Sequence, residues 1–402
     1  MNELYLVINC GSSSLKYSLY EMPSEKLISK GYFERIGTED SFYNINYNGH
    51  EIGDKVYFKN HYEAVIKMME ELTNNNIIND ISDIKGVGHR VLHGGEKYND
   101  SVIIDDKVLK DIYDLTDLGP LHHPGEIEGI KAIGEALPKV KSVAVFDTAF
   151  HQTIPKYNYL YAVPYDWYKN FKVRKYGFHG TSHKYITNEM QKKLGKENVN
   201  LIICHVGSGA SITCVKDGLS YDTSMGLTPL DGLVMGTRSG SIDPSIIKYM
   251  IDVGKMDIND IMNDLNKNSG LKGICGKNDF RDLRKLVTEE DSQGILAYQI
   301  FLNSIIKFIA EYYFLLDGHV DAMVFTAGIL ENNPIMREDI LNLIDDAMDI
   351  HIDKEVNDSI GYGKDKKEGI ITNKDSKIPV YVIPTNEEVM IVRDTYEKIK
   401  EA

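Results

Sequence analysis

Apolar positions near the start of the chain fall at strand spacing. Residues 4–9 form a nearly continuous apolar run, 14–20 alternate apolar with polar, and further alternating stretches lie near 28–34 and 44–48, the period-2 pattern of strands. The period changes to that of a helix over 61–74. A buried strand at 87–92, helices over 106–115 and 126–135, and a strand at 142–146 follow. This alternation implies a mixed α/β fold with parallel crossovers. Around 147–155 the first set of elements gives way to a second.

The second set holds a helix over 182–194, whose Thr181 and Ser182 hydroxyls read as caps, and an apolar strand, turn and alternating strand over 201–215. Asp243-Pro244 opens another helix, with Asp243 as N-cap and Pro244 at the first helical position. A long helix over 293–316 is apolar on more than one face, which predicts burial between subunits or layers. The charged, glycine-containing stretch 353–377 reads as an exposed excursion before a buried strand at 380–383. Thr385 with Glu388 three residues later reads as a capping box for a last helix, expected to return onto the first domain. Glu387 is left without a structural duty.

Two turns carry the first chemical signal. In Asn9-Cys10-Gly11-Ser12-Ser13-Ser14-Leu15-Lys16 a strand runs into a Gly/Ser turn and leaves as a second strand. Such a turn aims several backbone N–H groups and hydroxyls at one point, and Lys16 adds positive charge, which suits phosphate. His205-Val206-Gly207-Ser208-Gly209-Ala210-Ser211 repeats the arrangement, so the chain reads as internally duplicated. Its Gly-x-Gly is not read as a dinucleotide fingerprint, because 212–215 is β-branched where that motif requires a helix. A third glycine element, Thr326-Ala327-Gly328-Ile329-Leu330-Glu331-Asn332, ends a buried strand and leads toward a helix. Two phosphate hairpins and such a loop are the layout of the sugar-kinase, heat-shock-ATPase and actin superfold.

Bulk composition narrows the partners. A chain of 402 residues is expected to form two domains. With 60 acidic against 45 basic residues, nucleic acid and anionic membrane surfaces are poor partners, so any bound anion must be met by local arginine and lysine. No run of 18 apolar residues and no basic-then-apolar leader is present, which predicts a cytoplasmic protein without a membrane span. The four cysteines are scattered and read as free thiols.

Arginines in two glycine loops, Arg90 in Gly88-His89-Arg90 and Arg238 in Gly236-Thr237-Arg238, can together grip a carboxylate and a phosphoryl group. Asp147 ends a strand, where a carboxylate can position magnesium or polarise a nucleophile. His179 stands in a loop before a helix with no evident structural duty. The pairs His122-His123 and His179/His183 do not read as a zinc site, since no carboxylate or cysteine stands at ligand spacing. Gly207-Ser208-Gly209 is not a nucleophile elbow, which also needs a helix after it.

These motifs in this order resemble the acetate kinase family throughout the chain. The matching blocks are 9–16, 88–96, 118–124, 145–155, 176–183, 205–211, 223–244, 279–282, 326–332 and 384–388. The resemblance implies α/β architecture with two duplicated actin-like, ribonuclease-H-like domains and an interdomain cleft. Residues 1–147 with the helix 385–402 would form an acyl/phosphate domain, and 148–384 a nucleotide-binding and dimerisation domain. It implies a cytoplasmic homodimer that moves phosphate between ATP and acetate with Mg²⁺ or Mn²⁺, its partners being a small carboxylate and a nucleotide.

By the same resemblance Asn9, Ser12, Ser14 and Lys16 serve phosphate and metal, with Glu387 helping to place the ion. Arg90 and Arg238 take acyl carboxylate and transferring phosphoryl, His179 stabilises that group, and Asp147 orients the acyl substrate or metal. Leu92, Leu121, Phe178 and Pro229 match an apolar pocket for the methyl group. His205, Gly207, Ser208 and Gly209 match the second phosphate hairpin. Asp279, Phe280, Arg281, Gly328, Ile329 and Asn332 match nucleoside contacts.

Four positions depart from that pattern: Ser208 and His123 where Asn is usual, Leu330 where Gly is usual, and Ser241 where Asp is usual. Ser208 and Leu330 bear on the phosphoryl donor, leaving pyrophosphate or GTP, and propionate or butyrate as acceptor, as alternatives. Leu92, where the family often has Val, predicts a small pocket that favours acetate. A nucleotide-switched binding protein of the same superfold is the rival of another class, and Arg90, Arg238 and His179 in three separate loops argue against it.

Overall fold

The computed structural model describes residues 3–120, 122–364 and 366–402. They divide into two compact units, one running up to Phe150 and taking in Asn386–Ala402, the other spanning His151–Thr385.

The first unit is built on β1 (Glu3–Gly11), β2 (Ser14–Met22), β3 (Lys26–Glu34), β4 (Phe42–Tyr47), β5 (His50–Lys55), β6 (Ile84–Val91), β7 (Val102–Ile103) and β8 (Lys141–Phe146). They form one sheet in the order β5-β4-β3-β2-β1-β6-β8-β7. The hairpin strands β1 to β3 pair antiparallel, whereas β1 with β6 and β6 with β8 run parallel. Leu6, Ile8, Leu15, Leu19 and Phe33 join Val65, Met68 and Leu72 of the helix His61–Asn74 and Ile133 of the helix His123–Ala136 in one buried cluster. The helix Glu387–Glu401 packs on β6, β8 and β1. It approaches β6 closely because Gly86 and Gly88 carry no side chain: a Cβ on Gly88 would lie 2.2 Å from Thr395 Oγ1.

The second unit repeats the plan with β9 (Leu201–Val206), β10 (Ala210–Lys216), β11 (Leu219–Thr223), β12 (Ala322–Thr326), β13 (Gly369–Ile370) and β14 (Val380–Val382), in the order β11-β10-β9-β12-β14-β13. Here too the hairpin pairs are antiparallel and β9-β12-β14 parallel. The run β3-β2-β1-β6-β8 therefore matches β11-β10-β9-β12-β14, and the duplication read from the two Gly/Ser turns is a property of both sheets.

Several local expectations are corrected. Glu388 does not close a capping box: the side chain of Asn386 accepts from Val389 N–H, and Glu388 Oε2 accepts from the Ser18 hydroxyl at 2.6 Å. Thr385 and Ser182 do not cap helices either, since their hydroxyls pair with each other at 2.6 Å. The stretch 353–377 is not a bare excursion. It holds the helix Lys354–Asp358 and β13, and buries Ile360 and Ile371.

The helix Ser292–Leu315 is long and apolar enough to cross a membrane by length and composition. Its Ala297, Phe301, Ile305 and Ile309 are nonetheless buried, and it packs on the helices Gly270–Cys275 and Phe280–Thr288 and on β10. Leu296 and Phe314 remain exposed. One face thus belongs to the core of the unit and another is free of it.

What anchors 353–377 is Arg337, fully buried, which donates to the backbone carbonyls of Leu330, Glu331, Asn357 and Ile360 and to Asn357 Oδ1. Burial lowers its pKa to about 10. Arg337→Leu would strand these acceptors without donors, and we expect a loss of ~3 kcal/mol or more in urea denaturation; an unchanged midpoint would show that water replaces the guanidinium.

Candidate active site

In the first unit the site is set by strand register. The last parallel pair between β1 and β6 is Ile8 with His89, so Asn9 and Arg90 follow side by side, and Arg90 in turn faces Val145 two residues before Asp147. Asn9 pairs across the hairpin with Lys16, and Gly11 with Ser14. Ser12 and Lys16 are exposed. Gly125, in the first turn of the helix His123–Ala136, lies against the turn: a Cβ there would sit 2.5 Å from the Gly11 carbonyl. This close approach explains a glycine in that helical turn.

Arg90 Nη2 donates to Asp147 Oδ2 at 3.2 Å, with Asp147 almost fully buried. Burial opposes the charge on Arg90, but Asp147, Glu387 and Glu126 outweigh it and hold its pKa above the ordinary value. Glu126 is a residue that sequence reasoning missed. Both its oxygens accept from Leu92 N–H, at 3.1 and 3.2 Å, and burial raises its pKa to about 7. An acid in the first turn of a helix has an ordinary explanation in the helix dipole, which hid it. Glu387 is raised to about 7 by burial and by Asp147, with Arg90 opposing. One guanidinium thus answers three carboxylates.

In the second unit His179 occupies a left-handed conformation at the head of the helix Gly180–Leu194, φ 56°. Its Nδ1 lies 2.9 Å from Ser211 Oγ and its ring stacks on His205 at 4.2 Å. His205 is fixed by Ser182 Oγ at 2.8 Å. Gly209, in the β9–β10 turn, faces both His179 and Arg238: a Cβ on it would meet His179 Nε2 at 3.3 Å and Arg238 Nη1 at 3.6 Å. Arg238 donates to the Pro229 carbonyl at 3.2 Å, and burial alone lowers its pKa. Among the described residues it makes no ion pair.

A cavity of about 640 Å³ in the same unit is lined by Ser208, Asp279, Phe280, Arg281, Gly328, Ile329 and Asn332, seven residues singled out in the sequence. Asn278, Asn333 and Tyr362 also line it and were not foreseen; Tyr362 comes from the stretch read as an excursion. Asp279 caps the helix Phe280–Thr288 and pairs with Arg281 at 2.7 Å, which lowers its pKa to about 2. Phe280 is buried against Tyr298 and Phe301, so its ring serves the core as well.

Of the apolar-pocket residues, Leu92 is buried in the first unit, Phe178 is buried and Pro229 half-buried in the second, and Leu121 lies outside the described residues. Leu330, expected to bear on the phosphoryl donor, is fully buried and is not among the residues lining the cavity. His123 is buried with Nδ1 3.0 Å from the Ile112 carbonyl, and the Ser241 hydroxyl donates to Asp231 at 2.6 Å. Among the described residues no group of three or more His, Cys, Asp or Glu stands close enough to hold a metal ion.

A carboxyl with a raised pKa binds its proton more tightly in the folded than in the unfolded chain. The stability this gives is complete below about pH 4.5 and lost as pH rises to about 7. Glu387→Gln, which cannot ionise, should therefore be more stable than the parent toward urea at pH 8 and equal to it at pH 4.5. Parallel stability curves for the two would refute the burial of this charge.

The acetokinase family model matches residues 4–393. The acetate kinase of Thermoanaerobacterium thermosaccharolyticum is 50% identical over 403 residues, covering 99% of both chains. Among solved structures, the acetate kinase of Porphyromonas gingivalis superposes with a TM-score of 0.93 at 37% identity, over 99% of this chain and 100% of the other. A propionate kinase from Francisella tularensis gives 0.91 at 41% identity, over 98% and 99%. The two duplicated sheets, the paired glycine hairpins and the match across nearly the whole sequence agree: the chain belongs to the acetokinase family.

Proposed function

We propose that the protein catalyses reversible transfer of the γ-phosphoryl group of ATP to acetate, giving acetyl phosphate and ADP. The observation that carries this reading is Arg238, a half-buried guanidinium without an acidic partner among the described residues, directed with His179 at the glycine turn between β9 and β10. A cation left uncompensated in a glycine turn favours a phosphoryl group, and the adjoining cavity suits a nucleoside.

Carboxylate is already a competent nucleophile at neutral pH, so the reaction needs no strong base. The barrier is charge on a metaphosphate-like group, lowered by fixed donors. In this reading Arg238 and His179 donate to the phosphoryl oxygens, Arg90 holds the acyl carboxylate, and Asp147 orients Arg90. The family resemblance assigns Leu92, Leu121, Phe178 and Pro229 to the methyl group. Asn9, Ser12, Ser14, Lys16, His205, Gly207, Ser208 and Gly209 line the phosphate path. Asp279, Phe280, Arg281, Gly328, Ile329 and Asn332 take the nucleoside.

Mg²⁺, or Mn²⁺, would be held by the nucleotide phosphates with Glu387 and Asn9, and would supply charge neutralisation to the transferring group. The fit is chemical: magnesium keeps most of its waters and needs one or two carboxylates, and Glu387 is a carboxylate held uncomfortably beside Asp147. In this reading the first unit contributes Arg90, Asp147 and Glu387, and the second Arg238, His179 and the residues for the nucleoside. We further propose a cytoplasmic homodimer, the exposed Leu296, Ile300 and Phe314 of the helix Ser292–Leu315 being suited to a second copy.

The test is to trap acyl phosphate with hydroxylamine from Mg·ATP and acetate, propionate or butyrate, repeating each with GTP and pyrophosphate. ATP with acetate should give the strongest signal. Propionate should be slower, since one methylene in such a pocket is worth ~1–3 kcal/mol. Signal with another donor alone would move the donor assignment. Arg90→Ala and Arg238→Ala should each lower turnover ~10²-fold or more; near-normal turnover in either removes that arginine from the mechanism.

A further inference from the structure

Three buried imidazoles, His151, His183 and His205, and the half-buried His179 gather around β9 and the helix Gly180–Leu194. His151 and His183 lie 5.7 Å apart, His183 and His205 5.9 Å, and His179 and His205 4.2 Å. Ser211, fully buried on β10, stands between two of them. Its Oγ is 2.9 Å from His179 Nδ1 and 2.8 Å from His183 Nε2.

One hydroxyl carries one proton, so it can donate to only one of these nitrogens and must accept from the other. His183 is fully buried, and burial drives its pKa well below the ordinary value, so it is neutral with one ring proton. Its Nδ1 is buried with no hydrogen-bond partner. A proton placed there would be an unanswered buried donor, whereas a proton on Nε2 is answered by Ser211 Oγ. The second arrangement is favoured, because orphaned buried N–H groups are rarer than under-used acceptors.

The remaining assignments follow. His183 Nε2–H donates to Ser211 Oγ, and the Ser211 hydroxyl donates to His179 Nδ1. With its Nδ1 accepting, His179 carries its ring proton on Nε2, the nitrogen that faces Gly209 beside Arg238. Protonating His179 on Nδ1 would make Ser211 accept from both imidazoles and leave its hydroxyl proton unpaired.

We propose that Ser211, backed by His183, is a positioning residue that fixes His179 as the neutral Nε2–H tautomer, presenting an N–H donor to the phosphoryl group. This inference rests on the phosphoryl-transfer reading for its purpose but not for its geometry. Neither Ser211 nor His183 touches substrate in this scheme, and their role is to decide which nitrogen of His179 donates.

Two measurements on the full chain test it. Long-range ¹H–¹⁵N spectra of the ¹⁵N-histidine protein, with His179 identified by its loss in His179→Gln, read the tautomer without any turnover. Nε2–H in the parent is expected, and Nδ1–H would overturn the proposal, with no variant required. Ser211→Ala should release the tautomer to a mixture and lower kcat roughly tenfold to a hundredfold, the usual range for losing a group that orients a working ligand, with KM for ATP and acetate little changed. Ser211→Thr, which keeps the hydroxyl, should restore both. An unaltered tautomer and kcat in Ser211→Ala would also overturn it. Absence of acyl phosphate from the parent enzyme, with the tautomer as expected, would instead count against the reading of function.

Discussion

Arg90 is the cation on which the first unit's site depends, because Asp147, Glu387 and Glu126 all act on it. Burying like charges near one another is costly unless each is paired or neutralised. The structure pays that cost at both Glu126 and Glu387, whose pKa values rise to about 7, while Asp147 holds the direct ion pair. Such a site is poised to gain positive charge. A proton on either acid relieves that crowding of negative charge.

The second unit has the opposite imbalance. Arg238 has no acid beside it among the described residues, and the rings near it, His179 and His205, are held by hydroxyls. Duplicated sheets thus carry unlike electrostatics: acids in excess at the strand ends of one, an unanswered cation at the glycine turn of the other. A reaction that joins a cation-assisted carboxylate to a polyanionic donor needs both kinds of surface, and the repeated sheet plan supplies the same strand ends on which to build each.

Much of this was legible in the sequence because it lies where period and glycine speak together. The strands around Asn9, Arg90, Asp147 and His205 end in turns whose residues have few structural uses, so their chemistry stands out. Glu126 did not, since an acid in the first turn of a helix is explained by the dipole before any ligand is considered. Tyr362 and Asn333 did not, because they reach the cavity through tertiary packing that Arg337 organises. Glu388 and Ser182 misled for the same reason. Each fits a local capping pattern, yet each is taken by a partner distant in sequence, Ser18 and Thr385 respectively. Local propensity loses when a long-range hydrogen bond is available to a buried or half-buried group.

The departures from the family pattern separate on the same grounds. Leu330 is fully buried and leaves the cavity wall to Gly328, Ile329 and Asn332. Ser208 does line the cavity and offers a shorter side chain than an amide. Asn278, Asn332 and Asn333 line that cavity as well, and although Asn332 spends one donor on the Gly328 carbonyl, the wall retains amide donors and acceptors. The loss at Ser208 therefore falls on one reach toward the phosphates and leaves the nucleoside end intact, which favours a donor that brings a base over one that is phosphate alone.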